Sequence, residues 1–91
     1  MKISYKIEGT DNHLTKREIE MCIDVKRALR VKAIGSRFYI SPRTVNFHMT
    51  NIYRKLKVTN KVELINRLDE MGFFDSEACR VVKMKEMDWA K

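Results

Sequence analysis

The stretch I-S-P-R-T-V-N-F-H-M-T-N-I-Y-R-K-L, residues 40–56, decides the fold of this chain. Ser41 can accept a hydrogen bond from a free amide of a first helical turn. Pro42 suits the first helical position because it has no N–H to leave unpaired. Apolar residues then recur at helical spacing, which predicts one helix with a buried stripe. The members of that stripe are Val45, Met49, Ile52 and Leu56.

The opposite face of this helix is polar and cationic and holds no carboxylate. It carries Arg43, Asn46, Phe47, Thr50 and Arg54. Cations suit phosphate groups, whereas amide and hydroxyl groups suit the edges of bases. This sorting of residue types predicts a helix that lies in a groove of DNA.

The positive charge of the chain is concentrated around the same helix. Residues 25–62 contain ten Lys and Arg and no Asp or Glu, whereas the rest of the chain has nine basic and twelve acidic residues. The whole net charge of +7 therefore comes from this window, called the basic window below. Segregated charge produces a local positive field, and a polyanion is the natural partner. A merely solvated surface would normally mix both signs.

Length and composition predict one small, all-α domain. Ninety-one residues with three Gly and one Pro contain few turn residues for a β-rich fold. No apolar run reaches the length of a membrane span and no signal core is present, so we expect a cytoplasmic, nucleoid-associated protein without a membrane partner. Cys22 and Cys79 are expected to be reduced. No metal-ligand spacing, phosphate loop or nucleophile motif is present, so no metal, cofactor or enzymatic activity is expected.

Four helices are predicted within residues 13–73, between an N-terminal arm (residues 1–12) and a C-terminal extension (residues 74–91). The first follows a capping box formed by Thr15 and Glu18 and runs to about residue 26. The second covers residues 31–38, where Gly35 is tolerable if it lets the third helix, residues 42–56, approach closely. The fourth begins after Asn60 and ends at Gly72.

Three segments leave alternatives open. Residues 1–8 alternate between apolar and polar types, which indicates a strand or an extended arm, paired with the C-terminus or across a dimer. Residues 75–91 predict a helix from Ser76, with a strand over residues 80–84 as the competing interpretation. The fourth helix has apolar residues on more than one side. Leu64, Leu68 and Met71 therefore either face a partner or belong to the core.

Residues 14–68 resemble the LuxR/FixJ/GerE-type helix-turn-helix domain of bacterial transcription regulators. The family opening L-T-x-R-E is matched by Leu14, Thr15, Arg17 and Glu18. The middle motif I-S-x-x-T-V-x-x-H is matched by Ile40, Ser41, Thr44, Val45 and His48. The motif I-x-x-K-L-x-V-x-N-[RK]-x-E is matched by Ile52, Lys55, Leu56, Val58, Asn60, Lys61 and Glu63. Region 4 of sigma factors shares the opening, but His48 and the following N-I-Y-R-K-L fit the regulator type better.

The resemblance implies a role for each element. Residues 31–38 would be the scaffold helix and residues 42–56 the recognition helix, while the fourth helix would mediate dimerisation. The implied base contacts are Arg43, Asn46, Phe47 and Thr50. The implied phosphate contacts are Thr44, Arg54, Lys55, Lys57, Lys32 and Lys61. The implied dimer contacts are Leu64, Leu68 and Met71.

Two departures from the family pattern bear on these roles. The family commonly has E-I-A in the scaffold helix, where this chain has Ala33, Ile34 and Gly35. The missing Glu removes a polar tie, so we expect the scaffold helix to dock by packing alone. The family also commonly has Lys where this chain has Asn46 and Thr50. A base preference therefore cannot be transferred from the family.

Two functional hypotheses follow from these observations. The first is a sequence-specific, dimeric transcription regulator that binds double-stranded DNA through residues 42–56. The alternative is a protein-interaction module that captures another regulator or RNA polymerase through residues 61–71 and the C-terminal tail. The extra terminal segments and the altered scaffold helix motivate the alternative.

Overall fold

A computed structural model describes residues 3–89, which form a β-hairpin and five α-helices around one core. The hairpin consists of β1 (Ser4–Lys6) and β2 (His13–Thr15). The helices are α1 (Lys16–Lys26), α2 (Val31–Phe38), α3 (Pro42–Leu56), α4 (Lys61–Glu70) and α5 (Glu77–Trp89). A 3₁₀ turn (Phe73–Asp75) connects α4 to α5. No helix in the described part is both long and apolar enough to cross a bilayer.

The four helices predicted from local signals are confirmed, and side-chain caps are in place at the starts of α1, α3 and α4. At α1 the capping box is reciprocal: the Glu18 N–H donates to Thr15 Oγ1 at 3.2 Å, and the Thr15 N–H donates to Glu18 Oε1 at 2.9 Å. Ser41 Oγ accepts from the Thr44 N–H at 3.1 Å at the start of α3. These side chains satisfy amides that have no partner inside their own helix.

The start of α4 is held by two side chains. Asn60 Oδ1 accepts from the Glu63 N–H at 2.9 Å. The backbone N–H and the hydroxyl of Thr59 both donate to Glu63 Oε1 at 2.8 Å. Because these hydrogen bonds favour the ionised carboxylate, they hold the pKa of Glu63 below its usual range. The helix stops before Gly72, which adopts the predicted left-handed conformation with φ of 71°.

The apolar stripe of α3 forms the centre of the core, as predicted. Val45 and Ile52 are fully buried, and Met49 and Leu56 nearly so. They share one apolar cluster with Ile19, Cys22 and Ile23 of α1. Both cysteines are buried free thiols. Burial raises the pKa of Cys22 and of Cys79, so both stay protonated and behave as small apolar groups.

The N-terminal segment is not a separate arm. β1 pairs antiparallel with β2, with Tyr5 opposite Leu14, and the turn contains Gly9 with φ of 82°. Ile7 is buried, and the Tyr5 ring packs edge-on against Phe73 at 4.9 Å between centroids. The alternation correctly indicated a strand, but its partner is the neighbouring segment rather than the C-terminus. Periodicity reveals which face is buried and does not identify the pairing strand.

The C-terminal extension forms the predicted helix, and the competing strand is wrong. Ser76 caps α5, because its Oγ accepts from the Cys79 N–H at 3.3 Å. Cys79 and Val82 are buried in the common core, where α5 packs against α1. Ala78 lies half-buried at the edge of this contact.

A polar contact also docks α2, so the expectation of docking by packing alone is wrong. Arg37 Nε donates to Asp24 Oδ2 of α1 at 2.7 Å, and the Asp24 side chain is fully buried. The Arg17 guanidinium of α1 lies 4.2 Å from the centroid of the Phe38 ring, within the range of a cation–π contact. A carboxylate of α1 therefore supplies a tie that the missing Glu of α2 does not.

The turn between α2 and α3 depends on Gly35. The Ile40 N–H donates to the Gly35 carbonyl at 3.0 Å, and Tyr39 takes a left-handed conformation with φ of 57°. A Cβ atom on Gly35 would lie 2.7 Å from the Ile40 carbonyl oxygen. Because that atom belongs to the backbone, α3 itself would have to move. The close approach that the sequence required of Gly35 is present.

We expect Gly35→Ala to destabilise the domain by about 1–3 kcal/mol. The added Cβ would overlap the Ile40 carbonyl oxygen and push α3 away from α2, and this cost should exceed the gain in helix propensity. Urea unfolding followed by circular dichroism measures the change. Ser36→Ala, at the exposed next position of α2, is the control and should change stability by less than about 0.5 kcal/mol. A Gly35→Ala variant as stable as the wild type would contradict the steric account.

Candidate nucleic-acid interface

One side of α3 is open to solvent along its length. The four predicted base-contact residues all lie there: Arg43, Asn46, Phe47 and Thr50 are exposed. The Phe47 side chain is 65% exposed, which is unusual for a large apolar ring. The burial of Val45 and Met49 on the other side fixes the rotation of the helix, so this polar face must point outward. The structure thus brings the predicted base contacts together on one accessible surface.

Hydrogen bonds along α3 orient several of these polar groups. The Thr50 hydroxyl donates to the Asn46 carbonyl at 2.9 Å, which leaves its oxygen lone pairs and its methyl group facing outward. Arg54 Nη2 donates to Asn51 Oδ1 at 3.2 Å, which holds the guanidinium along the helix. The Thr44 hydroxyl lies 3.1 Å from Ser41 Oγ and is therefore engaged with the cap. Phe47 contacts the His48 ring edge-on at 6.1 Å between centroids.

Exposed cations surround this face. Lys57 follows α3 directly, in a left-handed conformation with φ of 57°, and Lys61 opens α4. Lys32 lies in the first turn of α2, and Arg30 stands just before it. All four side chains are exposed, and none forms an ion pair with another residue in the described part of the chain. Arg30 was not among the predicted phosphate contacts, although its position in the basic window was a signal for it.

Lys55, also a predicted phosphate contact, differs from these cations because its ammonium group has partners inside the domain. Its Nζ donates to Glu18 Oε1 at 2.7 Å and to the His13 carbonyl at 2.8 Å. Only 18% of the Lys55 side chain and 5% of the Glu18 side chain are exposed. The charge of Lys55 is therefore neutralised inside the domain. The chain separates the two residues by 37 positions, so no local pattern could have paired them.

Two of the three predicted dimer contacts of α4 are likewise occupied inside the domain. Leu64 and Leu68 are fully buried in the core of their own domain, which was the other interpretation that periodicity left open. Met71 is half-buried. The large apolar side chain that α4 does expose is Val62, at 70%. A partner that meets α4 would touch Val62 rather than the two leucines.

The same surface offers no site for a metal ion. No three His, Cys, Asp or Glu side chains lie close enough together for that purpose within the described residues. The chemistry available on the face of α3 is that of hydrogen bonding, apolar contact and positive charge.

Comparison with known proteins places this helix-turn-helix in a family. The model of the bacterial regulatory proteins of the luxR family matches residues 12–68. The chain belongs to the LuxR family. It is 38% identical over 60 residues to the transcriptional regulatory protein UhpA of Salmonella typhimurium, an alignment that covers 66% of this chain and 31% of UhpA. It is 37% identical over 75 residues to the transcriptional activator protein CarR of Pectobacterium carotovorum, covering 82% of this chain and 30% of CarR.

A solved structure agrees with the family assignment. The crystal structure of the response regulator ChrA, from a haem-sensing two-component system, superposes with a TM-score of 0.64 at 28% identity. The match covers 71% of this chain and 32% of the ChrA chain. The LuxR-family domain described here thus spans about a third of the length of these relatives. The family assignment identifies residues 12–68, which include α2 and α3, as a LuxR-type helix-turn-helix domain.

We expect Lys55→Ala to lower stability by about 2 kcal/mol, because it leaves the buried Glu18 carboxylate without its ion-pair partner. The salt dependence of DNA binding should not change, because no phosphate contact is removed. The matched control is Lys57→Ala, two residues away and exposed. That control should leave stability unchanged and make the log–log salt slope shallower by about 1. Urea unfolding and fluorescence anisotropy at several salt concentrations measure both quantities. Identical salt slopes for the two variants would contradict this assignment.

Proposed function

We propose that the LuxR-family domain acts in a sequence-specific transcription regulator that binds double-stranded DNA as a dimer. The observation that carries this proposal is the exposed face of α3, which lacks any carboxylate and lies within the family's helix-turn-helix. Two longer proteins that the chain is similar to, UhpA and CarR, are a transcriptional regulatory protein and a transcriptional activator. A regulator of this kind would act in the cytoplasm, on the DNA of the nucleoid.

Each base-contact residue has a matching chemistry in the major groove. The Asn46 amide can both donate to and accept from one adenine edge. Phe47 and the Thr50 methyl group suit the methyl group of thymine, and Arg43 suits the two acceptors of guanine. Because Asn46, Phe47 and Thr50 lie on one exposed face, we propose a recognition site that contains A·T pairs at its centre.

Affinity and register would come from the phosphate contacts. Five exposed cations are candidates for these contacts: the predicted Lys32, Arg54, Lys57 and Lys61, together with Arg30. One domain that neutralises about five phosphates should contribute about −4 to −5 to the log–log salt slope, and a bound dimer should show about twice that. Two such domains in a dimer would bind two half-sites related by a two-fold axis.

A second candidate function is the capture of RNA polymerase or another regulator. The observation that favours it is the exposed Val62 of α4, which lies outside the face of α3. An apolar residue in that position can contact a protein while α3 lies in the major groove of DNA. Binding of DNA and of a protein partner are compatible, because they use different helices.

In-vitro selection from randomised duplex DNA at physiological salt tests the proposal. Enrichment of a two-fold symmetric motif is the expected result, since operator symmetry mirrors protein symmetry. Folded protein that enriches no motif would overturn sequence-specific regulation and leave protein capture as the better explanation.

On the selected site we expect Asn46→Ala to weaken specific binding by about 1–3 kcal/mol, because one bidentate base contact is lost. Binding to unrelated DNA should not change. The control is Asn66→Ala at an exposed position of α4, which should affect neither. Anisotropy titrations with both DNAs provide the comparison. An equal loss on specific and unrelated DNA would show that Asn46 does not read a base.

A further inference from the structure

The two outer edges of the β-hairpin differ. The edge of β2 is closed by the α1–α3 ion pair: the His13 carbonyl accepts from Lys55 Nζ, and the Thr15 N–H donates to Glu18 Oε1. Each outward-facing residue of β2, His13 and Thr15, therefore has a backbone group paired inside the domain. An edge satisfied in this way cannot accept another strand.

The outer edge of β1 is open. The Ile7 N–H donates to the Asn12 carbonyl at 3.0 Å, and the register continues with Tyr5 opposite Leu14. Hydrogen-bonded and non-bonded pairs alternate in an antiparallel ladder. The N–H and C=O groups of Ser4 and Lys6 therefore point away from β2. Neither residue donates to or accepts from another element within residues 3–89.

A groove of about 630 Å³ runs along this open edge. Its apolar lining comes from Ile3 and Tyr5 of the hairpin and from Ala78 and Val81 of α5. The apolar line on α5 continues to Met84, which is 63% exposed. Strand edge, groove and helix face together form one surface, called the hairpin–α5 surface below.

We propose that the hairpin–α5 surface binds a second copy of this chain, with the two β1 strands paired antiparallel in a four-stranded sheet. In the register centred on Tyr5, Ser4 lies opposite the partner's Lys6. The outward N–H and C=O groups of these residues then exchange four hydrogen bonds across the two-fold axis. A register that set the two Lys6 residues opposite each other would be opposed by their like charges. The edge is thus self-complementary in one register.

The distribution of charge favours a second copy on this surface. The basic window carries no acidic residue, so two copies of it repel each other. The hairpin and the first part of α5 have balanced charges. They carry Lys6, Arg80 and Lys83 against Glu8, Asp11 and Glu77. No residue of α3 lines the groove, so pairing here leaves the recognition face of α3 uncovered. The dimer itself is argued independently of the proposed function. Only its role in presenting two copies of α3 to DNA rests on that function.

Replacement of the Lys6 N–H tests the strand pairing directly. Lys6→Pro removes that outward donor without breaking a hydrogen bond to β2, and Tyr5 before it is already extended. Lys6→Ala, the matched control, removes the charge and keeps the N–H. Sedimentation equilibrium without DNA, from micromolar to millimolar protein, should show dimers for the wild type and for Lys6→Ala. The dissociation constant of Lys6→Pro should rise by about tenfold or more, since two hydrogen bonds per dimer are lost.

A second pair of variants tests the helix side of the same surface. Val81→Asp should dissociate the dimer, because it places a carboxylate in the groove. Val62→Asp, the same change on α4, should not. Circular dichroism and binding to a single DNA half-site confirm that each variant is folded. A wild type that stays monomeric throughout, or a dimer dissociated by Val62→Asp and not by Val81→Asp, would overturn the proposal.

DNA binding separates this inference from the proposed function. If both hold, Lys6→Pro should bind a half-site like the wild type and lose affinity only for the two-fold symmetric site. Dimers that form in solution but bind no DNA would support the hairpin–α5 surface while contradicting the regulator. Raised salt should weaken DNA binding but not the dimer, because two copies of net charge +7 repel each other less when screened.

Discussion

The ion pair between Glu18 and Lys55 joins the three parts on which the rest of the structure depends. Glu18 closes the capping box of α1, and Lys55 lies in the last turn of α3. Lys55 Nζ also bonds the His13 carbonyl, so the hairpin, α1 and α3 meet at one ammonium group. Buried charges are tolerated when each has well-placed partners, and here each has at least two. The contact fixes the rotation of α3 and closes one edge of the hairpin.

Carboxylates from outside the basic window neutralise part of it. Asp24 pairs with Arg37, Glu18 with Lys55, and Asp69 with Lys26 at 3.3 Å. In the first two pairs the carboxylate is buried, and each pair holds two helices together. The third pair is exposed and contributes little to stability. A window that is wholly positive in sequence therefore presents a smaller positive charge in space. Exposed cations that form no ion pair within the described residues include Arg30, Lys32, Lys57 and Lys61.

The sequence contained the local features of the fold but not its long-range pairings. Caps at Thr15, Ser41 and Asn60 and the spacing of apolar residues were sufficient to predict four helices, because these signals act within one or two turns. The pairing of β1 with β2 was not predicted, since alternation does not encode the pairing strand. The site was predicted in the same uneven way. The outward face of α3 followed from its wheel, whereas the burial of Lys55, Leu64 and Leu68 depends on elements distant in the chain.

The recognition helix is anchored at both ends. At its start the Gly35 backbone sits against the Ile40 carbonyl, and at its end Lys55 is bonded to two other elements. A helix fixed in this way loses little backbone entropy when it enters a groove. The ordering that binding requires then falls on long exposed side chains such as Arg43 and Lys57, which form no side-chain hydrogen bond or ion pair within the described residues. The domain would therefore bind its ligand with the backbone of α3 already fixed, and only the cationic side chains would have to reorder.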